Sequence, residues 1–402
     1  MAVESHPPVE TSTVRLLRGS AEFFPALISA LDGARQEARL ETYIFRLEGE
    51  GVRVAEALER AARRGVAVHL FTDGVGTPTL PAPWPARLRA AGVQWRTFMP
   101  LGRFGLLLPT HWRRLHRKLG AVDGTVAFCG GINILDDHFD PNHGHLPQPR
   151  LDYAVQVHGA LAQQVMLACQ ELWWRAQAFG QGQHDALRER WQAWQSWQRA
   201  ALQTWRTGGA RNPRAMLMLR DNLRHRSHIE RAYRRAIGMA RDEVLIANAY
   251  FLPGRKLRQA LVLAARRGVR VTLLLQGRYE YFFQFHAARA VYGTLLAAGV
   301  EIFEYSASFL HAKVAVVDRR WATVGSSNLD PLSLLLAREA NVVLEGEAFA
   351  GQLRSALYSA MEQQATRVDA AAYAARPWTQ RVRDGLALAL VRLALTLSAH
   401  RY

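Results

Sequence analysis

The chain repeats one local hydrophobic pattern in its two halves. Short and almost continuous apolar runs occur at residues 65–71 (GVAVHLF) and 268–275 (GVRVTLLL). Uninterrupted apolar runs of this length are typical of buried parallel strands. Each follows a stretch with helical apolar spacing that ends in the same sequence, AARRGV, at 61–66 and at 264–269. The pattern therefore predicts, in both halves, a helix that ends at glycine and leads into a buried strand.

The order of predicted elements is also the same in both halves. Strand, helix, strand, helix and strand are predicted in turn within residues 39–98 and again within residues 244–305. Residues 119–130 and 314–325 then each predict a hairpin, with its turn near Asp123 or Asp318. Two copies separated by about 200 residues indicate a duplication rather than a solenoid.

These patterns predict an α/β protein with two lobes, each a mixed sheet flanked by helices. We place the first lobe at residues 13–170 and the second at 226–365. A segment rich in Trp and Arg separates them at 171–225, and a tail with an apolar stretch follows at 366–402.

Composition narrows the class of protein. The chain has 402 residues, of which 49% are hydrophobic. It has only two cysteines, which excludes a disulfide scaffold and favours a reducing compartment. Its net charge of +17 favours binding to a polyanion, either nucleic acid or an anionic membrane. No apolar run is long enough to span a bilayer, and the N-terminus does not have the pattern of a signal peptide.

One short motif occurs twice with identical spacing. His116, Lys118, Asp123 and Asn133 recur as His311, Lys313, Asp318 and Asn328. The chain has 51 Lys and Arg residues, but only three are lysines, and two of these are the motif positions Lys118 and Lys313. These two places therefore require a compact ammonium group rather than a planar guanidinium group.

The motif residues suit the chemistry of a phosphodiester. Lys lies two residues after His on a predicted strand, so both side chains are on one face, and the hairpin can return Asn beside them. Lys and Asn would hold the non-bridging oxygens, while one His attacks phosphorus and the other protonates the leaving oxygen. Two lysines could neutralise the charge without a metal, so we predict no metal and no cofactor.

The doubled pattern HxKxxxxD followed by GxxN resembles the phospholipase D superfamily over about 300 residues. The resemblance implies two pseudo-twofold-related lobes with the active site at their interface. It also implies that His116 is the nucleophile, His311 the general acid, and that Asp123 and Asp318 support their hairpins. A further acid downstream of each motif would orient its histidine, and Asp152 and Glu339 match that position. The residues leave open whether Arg114 and Arg117 bind a head group or are solvated.

Several segments are similar to the bacterial cardiolipin synthase branch: ETYIF and FTDGVGT before the first motif, ILDDHFDPN after it, and NAYFLP before the second. The resemblance implies transfer of a phosphatidyl group from one phosphatidylglycerol to the hydroxyl of a second lipid, with release of glycerol. It also implies the shorter form of the enzyme, peripheral on the cytoplasmic face of the cell membrane. The sequence does not indicate the acceptor or the oligomeric state.

Two segments are candidates for contact with an anionic membrane. Six of the 11 Trp residues lie within 171–205, where they either enter the interface or fill the groove between the lobes. Residues 386–399 are nearly all apolar, with Arg392 as their only charge, and are too short to span a bilayer, so they either lie in the interface or dock on the protein.

Three other functions use the same residues. A phospholipase would pass the phosphatidyl group to water, and a nuclease would suit the positive charge, but the Trp-rich segment and apolar tail make nucleic acid an unlikely partner. A catalytically inactive binding protein would not require both motifs intact. The loop from Asp136 to His145 has metal-ligand residue types, but its spacing matches no zinc or calcium pattern.

Overall fold

The structure is a computed structural model that describes residues 12–101, 105, 113–181, 214–221, 227–279, 282–330 and 337–399. Strands of the first half are β1 (Val14–Arg18), β2 (Glu37–Thr42), β3 (Ala67–Asp73), β4 (Gln94–Phe98), β5 (Arg114–Leu115), β6 (Lys118–Val122), β7 (Val126–Gly130), β8 (Phe139–Asp140), β9 (Gly144–His145) and β10 (Tyr153–His158). Seven of them form one sheet in the order β1-β10-β7-β6-β2-β3-β4. Strands β2, β3 and β4 are mutually parallel, and the other neighbours are antiparallel.

Strands of the second half are β11 (Arg214–Arg220), β12 (Glu243–Asn248), β13 (Arg270–Gln276), β14 (Glu301–Tyr305), β15 (Lys313–Val317), β16 (Trp321–Gly325), β17 (Ala337–Glu345) and β18 (Ala365–Arg367). They form a sheet in the order β11-β17-β16-β15-β12-β13-β14-β18, which repeats the first order and adds one edge strand. The prediction of two related lobes with mixed sheets is therefore confirmed. Strand β11, which lies in the range assigned to the segment between the lobes, is an edge strand of this second sheet.

Helices cover the faces of both sheets. They are α1 (Gly19–Asp32), α2 (Glu50–Arg63), α3 (Trp84–Ala90), α4 (Ala160–Gln181), α5 (His228–Met239), α6 (Arg255–Arg266), α7 (Phe282–Leu296), α8 (Glu347–Gln364), α9 (Ala370–Ala374) and α10 (Trp378–Ala399). Helix α2 buries Val54, Leu58 and Ala61 on one side, as the helical spacing requires. Gly65 and Gly268 follow α2 and α6 with φ of 89°, a conformation that favours glycine and ends both helices as predicted.

The two lobes share one hydrophobic core. Leu119 and Val155 of the first sheet belong to the same buried cluster as Val314, Val324 and Val342 of the second. Each lobe has an additional cluster between its sheet and its outer helices. The shared core fixes the lobes against each other, so residues at their junction can form a single site.

The motif aspartates stabilise the start of each hairpin. Asp123 and Asp318 lie in the turns with φ of 51° and 50°. The Asp123 carboxylate accepts hydrogen bonds from three successive backbone N–H groups at residues 35–37, and Asp318 does the same at residues 241–243. Both carboxylates thus tie a hairpin turn to the start of the neighbouring strand.

No helix within the described ranges is long and apolar enough to cross a membrane. Most of the Trp-rich segment, including Trp191, Trp194, Trp197 and Trp205, lies outside the described residues. Of the same group, Trp173 is buried against Phe71.

Candidate active site

Backbone contacts between the lobes position the two motif histidines. Strand β5 runs parallel to β17, and the His116 N–H donates to the Arg338 carbonyl over 3.1 Å. In the equivalent place, the His311 N–H donates to the Leu151 carbonyl over 2.9 Å. Each histidine is therefore anchored to the opposite lobe.

Both histidines open into one cavity. The cavity has a volume of about 920 Å³ and is lined by His116, His311, Asn133 and Asn328 together with residues of both lobes. A single phosphorus atom can therefore be approached by both imidazoles. The two motif sets meet at the lobe junction, which is the arrangement that the duplicated pattern predicted.

The carboxylates that orient the histidines are exchanged between the lobes. His116 Nδ1 is 2.9 Å from Glu339 Oε1, and His311 Nδ1 is 2.6 Å from Asp152 Oδ2. The sequence analysis paired each acid with the histidine upstream of it, and that pairing is wrong. Because β10 and β17 lie where the lobes meet, each acid faces the histidine of the other lobe. In both pairs the carboxylate engages Nδ1 and leaves Nε2 for the substrate.

The side chain of each motif lysine is buried next to the backbone of its histidine. Lys118 Nζ donates to the His116 carbonyl over 2.6 Å, and Lys313 Nζ donates to the His311 carbonyl. Their side chains are 5% and 0% exposed, which shows that the lysines are internal cations rather than surface charges. Burial lowers the pKa of Lys118 to about 7, with Lys313 adding to that effect. Buried ammonium groups so close to the site favour an anionic substrate.

The two histidine–carboxylate pairs differ in the pKa values of their carboxyl groups. Burial raises the pKa of Asp152 to about 7 and, with Lys313, depresses the pKa of His311. Burial acts on Glu339 in the same direction, but His116 and Lys118 together with hydrogen bonds from His116 and Ser326 keep its pKa below the usual value. Burial also lowers the pKa of His116. Asp152, whose pKa is raised, is therefore more readily protonated than Glu339, whose pKa is lowered.

One difference between the lobes accounts for part of this asymmetry. Ser326 Oγ donates to Glu339 Oε2 over 2.5 Å. Gly131 has the equivalent position in the first lobe, since both residues donate a backbone hydrogen bond to the residue after the acid. A Cβ at Gly131 would be only 2.2 Å from Asp152 Oδ1, so no side chain fits there. Glu339 thus has a hydroxyl donor that Asp152 lacks.

The two asparagines border the cavity in different ways. Asn133 Oδ1 accepts a hydrogen bond from the Ile44 N–H over 3.1 Å, which leaves its amino group directed elsewhere. Asn328 is 2% exposed, and its Oδ1 has no hydrogen-bond partner among the described residues. A buried carboxamide without its full set of partners is suited to bind a ligand.

The two candidate arginines have different surroundings. Arg114 lines the cavity, and its Nη1 is 3.1 Å from the buried carboxylate of Asp73. Arg117 lies in the short connection between β5 and β6, and its side chain is buried away from the cavity. There it forms a buried ion pair with Glu41 and donates to the Ala168 carbonyl over 2.9 Å. Arg117 therefore fits neither of the two alternatives, a head-group ligand or a solvated charge, whereas Arg114 stays a candidate for the head group.

The motif aspartates are part of the repeated spacing but not of the cavity lining. Asp123 lies five residues beyond Lys118, which is about 16 Å along an extended strand. The role in hairpin support, inferred for Asp123 and Asp318, agrees with their backbone hydrogen bonds.

Sequence reasoning missed several residues that line the cavity. Arg46, Arg150 and Tyr250 border it, and the Tyr43 ring centroid is 5.1 Å from that of His116. Arg150 lies two residues before Asp152, and its closeness in sequence to this predicted site residue could have identified it. Arg46 had no such signal, because its loop approaches the site only through the fold.

The polar loop after the first motif is held by its own hydrogen bonds. Asp140 accepts from the N–H groups of Asn142 and His143 and pairs with Arg150, and Asp137 accepts from the Ser20 N–H. Among the residues that the structure describes, no group of His, Cys, Asp and Glu is arranged to hold a metal ion.

The fold and site together define a two-lobed α/β protein with paired histidines in one cavity at the lobe junction. The sequence matches the family described as "Cardiolipin synthase, PLD-like domain" at residues 27–146 and 233–360. The chain belongs to this family of the phospholipase D superfamily.

Relatives support the same membership. Cardiolipin synthase B of Escherichia coli strain K12 is 35% identical over 392 residues, which is 95% of this chain and 88% of that protein. Cardiolipin synthase B of Salmonella typhi is 37% identical over 384 residues, with the same coverage. The crystal structure of phosphatidylserine synthase from Haemophilus influenzae has the same fold, with a TM-score of 0.68 at 12% identity, covering 96% of this chain and 94% of that one.

Proposed function

We propose that this protein is a phosphatidyltransferase of the cardiolipin synthase type. Its substrates are phosphatidylglycerol and a second lipid with a free hydroxyl group. The observation that carries the proposal is the single cavity into which His116 and His311 both open, each held by a carboxylate of the other lobe. The high identity to cardiolipin synthases over nearly the whole chain supports this choice of substrate.

The reaction proceeds in two steps at one phosphorus atom. His116 Nε2 attacks the phosphorus of the donor, which forms an N–P bond and breaks the bond to the glycerol oxygen. The Asp152–His311 pair gives its proton to that oxygen, and glycerol leaves. The acceptor hydroxyl then returns its proton to the pair as its oxygen attacks phosphorus and releases His116. The raised pKa of Asp152 and the lowered pKa of Glu339 support this choice of acid and nucleophile.

Positive charge around the cavity stabilises the phosphoryl oxygens. Lys118 and Lys313 are buried next to the histidines, and Arg114 lines the cavity wall. Asn133 and Asn328 orient the phosphate through their amide groups. This arrangement provides the positioning and charge neutralisation that transfer at phosphorus requires.

We further propose that the protein binds peripherally to the cytoplasmic leaflet, which is anionic. Helix α10 supports this proposal because it presents Val382, Leu386, Leu390 and Leu393, each about half exposed or more, on one face. The net charge of +17 favours the same surface. Moderate salt should weaken binding to phosphatidylglycerol vesicles, and binding that is insensitive to salt would contradict the electrostatic part of the proposal.

Turnover of labelled phosphatidylglycerol in mixed micelles tests the activity. Cardiolipin and glycerol in equal amounts are expected. Phosphatidic acid as the only lipid product would instead identify a hydrolase. Absence of lipid turnover together with cleavage of DNA would identify a nuclease and overturn the proposal.

A further inference from the structure

A second cavity lies between the second lobe and helix α10. It is enclosed by α6, α7, α10 and the loop before α6, and it has a volume of about 350 Å³. None of its lining residues belongs to the lining of the active-site cavity. It is therefore a separate feature that the reaction at the histidines does not use.

Three arginines define the polar side of this cavity. Arg255 and Arg258 come from the first turn of α6, and Arg392 comes from α10. No carboxylate is among the described residues that line it. Within the part of the chain that the structure describes, the guanidinium groups of Arg255 and Arg258 form no ion pair. Arginines elsewhere on this lobe do: Arg270 and Arg354 share Glu243, and Arg289 pairs with Glu304.

Arg255 and Arg258, which have no ion pair among the described residues, favour an anion in the cavity. Like charges repel one another unless a counter-charge lies between them. The first turn of α6 borders the cavity as well, and the positive end of a helix adds to the field of the arginines. Guanidinium forks match the paired oxygens of a phosphate group better than a single ammonium does.

The other side of the cavity is apolar. Leu252, Val291 and Leu388 supply it, so the site combines an anion-binding side with an aliphatic wall. This combination suits an amphiphile with a phosphate group rather than a fully hydrated ion.

The cavity shares helix α10 with the surface that we propose to contact the membrane. Trp378, Val382, Leu386, Leu390 and Leu393 form an exposed apolar stripe along α10. Arg392 is about 100° around the helix from the middle of this stripe, at 3.6 residues per turn. If the stripe enters the acyl boundary, the arginines lie at the level of the lipid phosphates.

We propose that this cavity binds the phosphodiester head group of an anionic phospholipid as a non-catalytic docking site. The proposal depends on the peripheral membrane binding given under the proposed function. The site holds the second lobe against the membrane while substrate enters the separate catalytic cavity.

Paired variants test the site. Binding of Arg255→Gln/Arg258→Gln to vesicles of phosphatidylcholine with phosphatidylglycerol is measured by sedimentation. Arg15→Gln/Arg89→Gln serves as the control, because these exposed arginines of the first lobe remove the same charge elsewhere. We expect about tenfold weaker binding for the cavity variant and a change within about twofold for the control. Equal binding by the two variants would overturn the proposal.

A variant that keeps the charge distinguishes specific binding by the guanidinium groups from attraction by the overall positive charge. Arg255→Lys/Arg258→Lys keeps both charges but lacks the paired donors, so binding should still weaken by roughly fivefold. Wild-type affinity in this variant would show that only diffuse charge matters. The thermal midpoint of each variant checks that it is folded.

Inorganic phosphate distinguishes a lipid head group from a free ion. If phosphate raises the thermal midpoint of the wild type but not of Arg255→Gln/Arg258→Gln, while both bind vesicles equally, the cavity is a site for free phosphate and the lipid proposal is wrong. If the wild-type protein itself ignores phosphatidylglycerol vesicles, the proposed membrane function fails first. Normal wild-type binding with no effect of the cavity variants overturns the docking site alone.

Discussion

Ser326 and Gly131 are equivalent residues that make the two halves of the active site unequal. Only Ser326 offers a hydroxyl group to its acid, Glu339, and Gly131 is confined by the carboxylate of Asp152. A duplicated site with two identical pairs would bind protons symmetrically. One reaction step needs a neutral nucleophile and a protonated acid together, so this single difference favours a direction for the reaction.

Ser326→Ala should therefore affect the rate more than the binding of substrate. Loss of a hydrogen bond to an ionised carboxylate should lower kcat about tenfold, with little change in KM. The pKa of Glu339 should rise, so the acidic limb of the kcat profile should move to higher pH. Ser327→Ala is a matched control, since its hydroxyl makes only a long contact of 3.5 Å to the Asn328 carbonyl. An equal loss in both variants would mean that the serine acts through packing.

The pH dependence of the wild type follows from Asp152. Its pKa is raised to about 7, so the Asp152–His311 pair loses its shared proton as the pH rises through that value. We expect kcat to fall on the alkaline side of about pH 7, because the leaving oxygen then lacks its proton. Asp152→Asn should lower kcat by about a hundredfold or more and remove this limb. A limb that persists in the variant would assign it to another group, such as Lys118.

At the scale of elements, the hairpins depend on the aspartates in their turns. Asp123 is partly buried, which by itself opposes ionisation, but hydrogen bonds from three backbone N–H groups lower the pKa of its carboxyl. A lowered pKa in the folded state contributes stability above the unfolded value near 3.9, and that stability is lost as the pH falls through the folded pKa.

Asp123→Asn should lower the free energy of unfolding by about 1–2 kcal/mol at neutral pH, a figure that allows for solvent near the turn. Urea denaturation measures the difference, which should shrink toward acidic pH. Asp242→Asn provides the control, because this exposed carboxylate makes no hydrogen bond or ion pair among the described residues. If the difference in the free energy of unfolding does not change with pH, the hydrogen bonds from the backbone do not depend on the charge of Asp123.

Helix α10 is a second element with two distinct faces. Its inner face packs on α7, where Asp384 lies 2.8 Å from His286 Nδ1 and Ala387 is buried. Its outer face carries the apolar stripe. The sequence predicted either docking on the protein or contact with a membrane, and the structure shows docking by one face while leaving the other exposed.

Leu386→Ser/Leu390→Ser should reduce binding to phosphatidylglycerol vesicles severalfold, because each exposed leucine contributes by entering the interface. These residues do not belong to the core between α7 and α10, so the thermal midpoint should change little. Leu263→Ser is the control, since Leu263 is 54% exposed on α6 rather than on α10. Unchanged sedimentation of the α10 variant would exclude this face as the membrane contact.

At the scale of the whole molecule, the lobes form one catalytic unit. Each histidine depends on a carboxylate of the other lobe, and the hydrophobic core continues across the junction. We propose that the two histidines act on the same phosphorus, and their contributions should therefore be non-additive.

His116→Ala and His311→Ala should each lower transfer by about a thousandfold or more, and the double variant should be no worse than His116→Ala. A phosphatidyl ester of p-nitrophenol separates their roles, because this leaving group needs no proton. A burst of p-nitrophenol, up to one equivalent of enzyme, should be retained in His311→Ala and lost in His116→Ala, because only the second step still needs His311 as a base. The opposite result would exchange the nucleophile and the acid.

Local patterns in the sequence were sufficient to predict the elements and the motif. Apolar periodicity and glycine placement depend on neighbours in the chain, so the repeated AARRGV helix ends and the order of strands could be predicted. The shared spacing of His116 and His311, together with the scarcity of lysine, identified the reacting groups for the same reason.

The partners of those groups were decided by the tertiary structure. His116 meets Glu339 across 223 positions of sequence and His311 meets Asp152 across 159, and only the packing of the two sheets brings them together. Arg117 is adjacent to His116 in the chain, but its side chain forms a buried ion pair with Glu41 of β2 instead of lining the cavity. The sequence alone thus determined which side chains are chemically able to react, because that is a property of each residue and its spacing. Which charges they face, and so which of them holds the proton, depends on burial and on contacts that exist only after the lobes have packed.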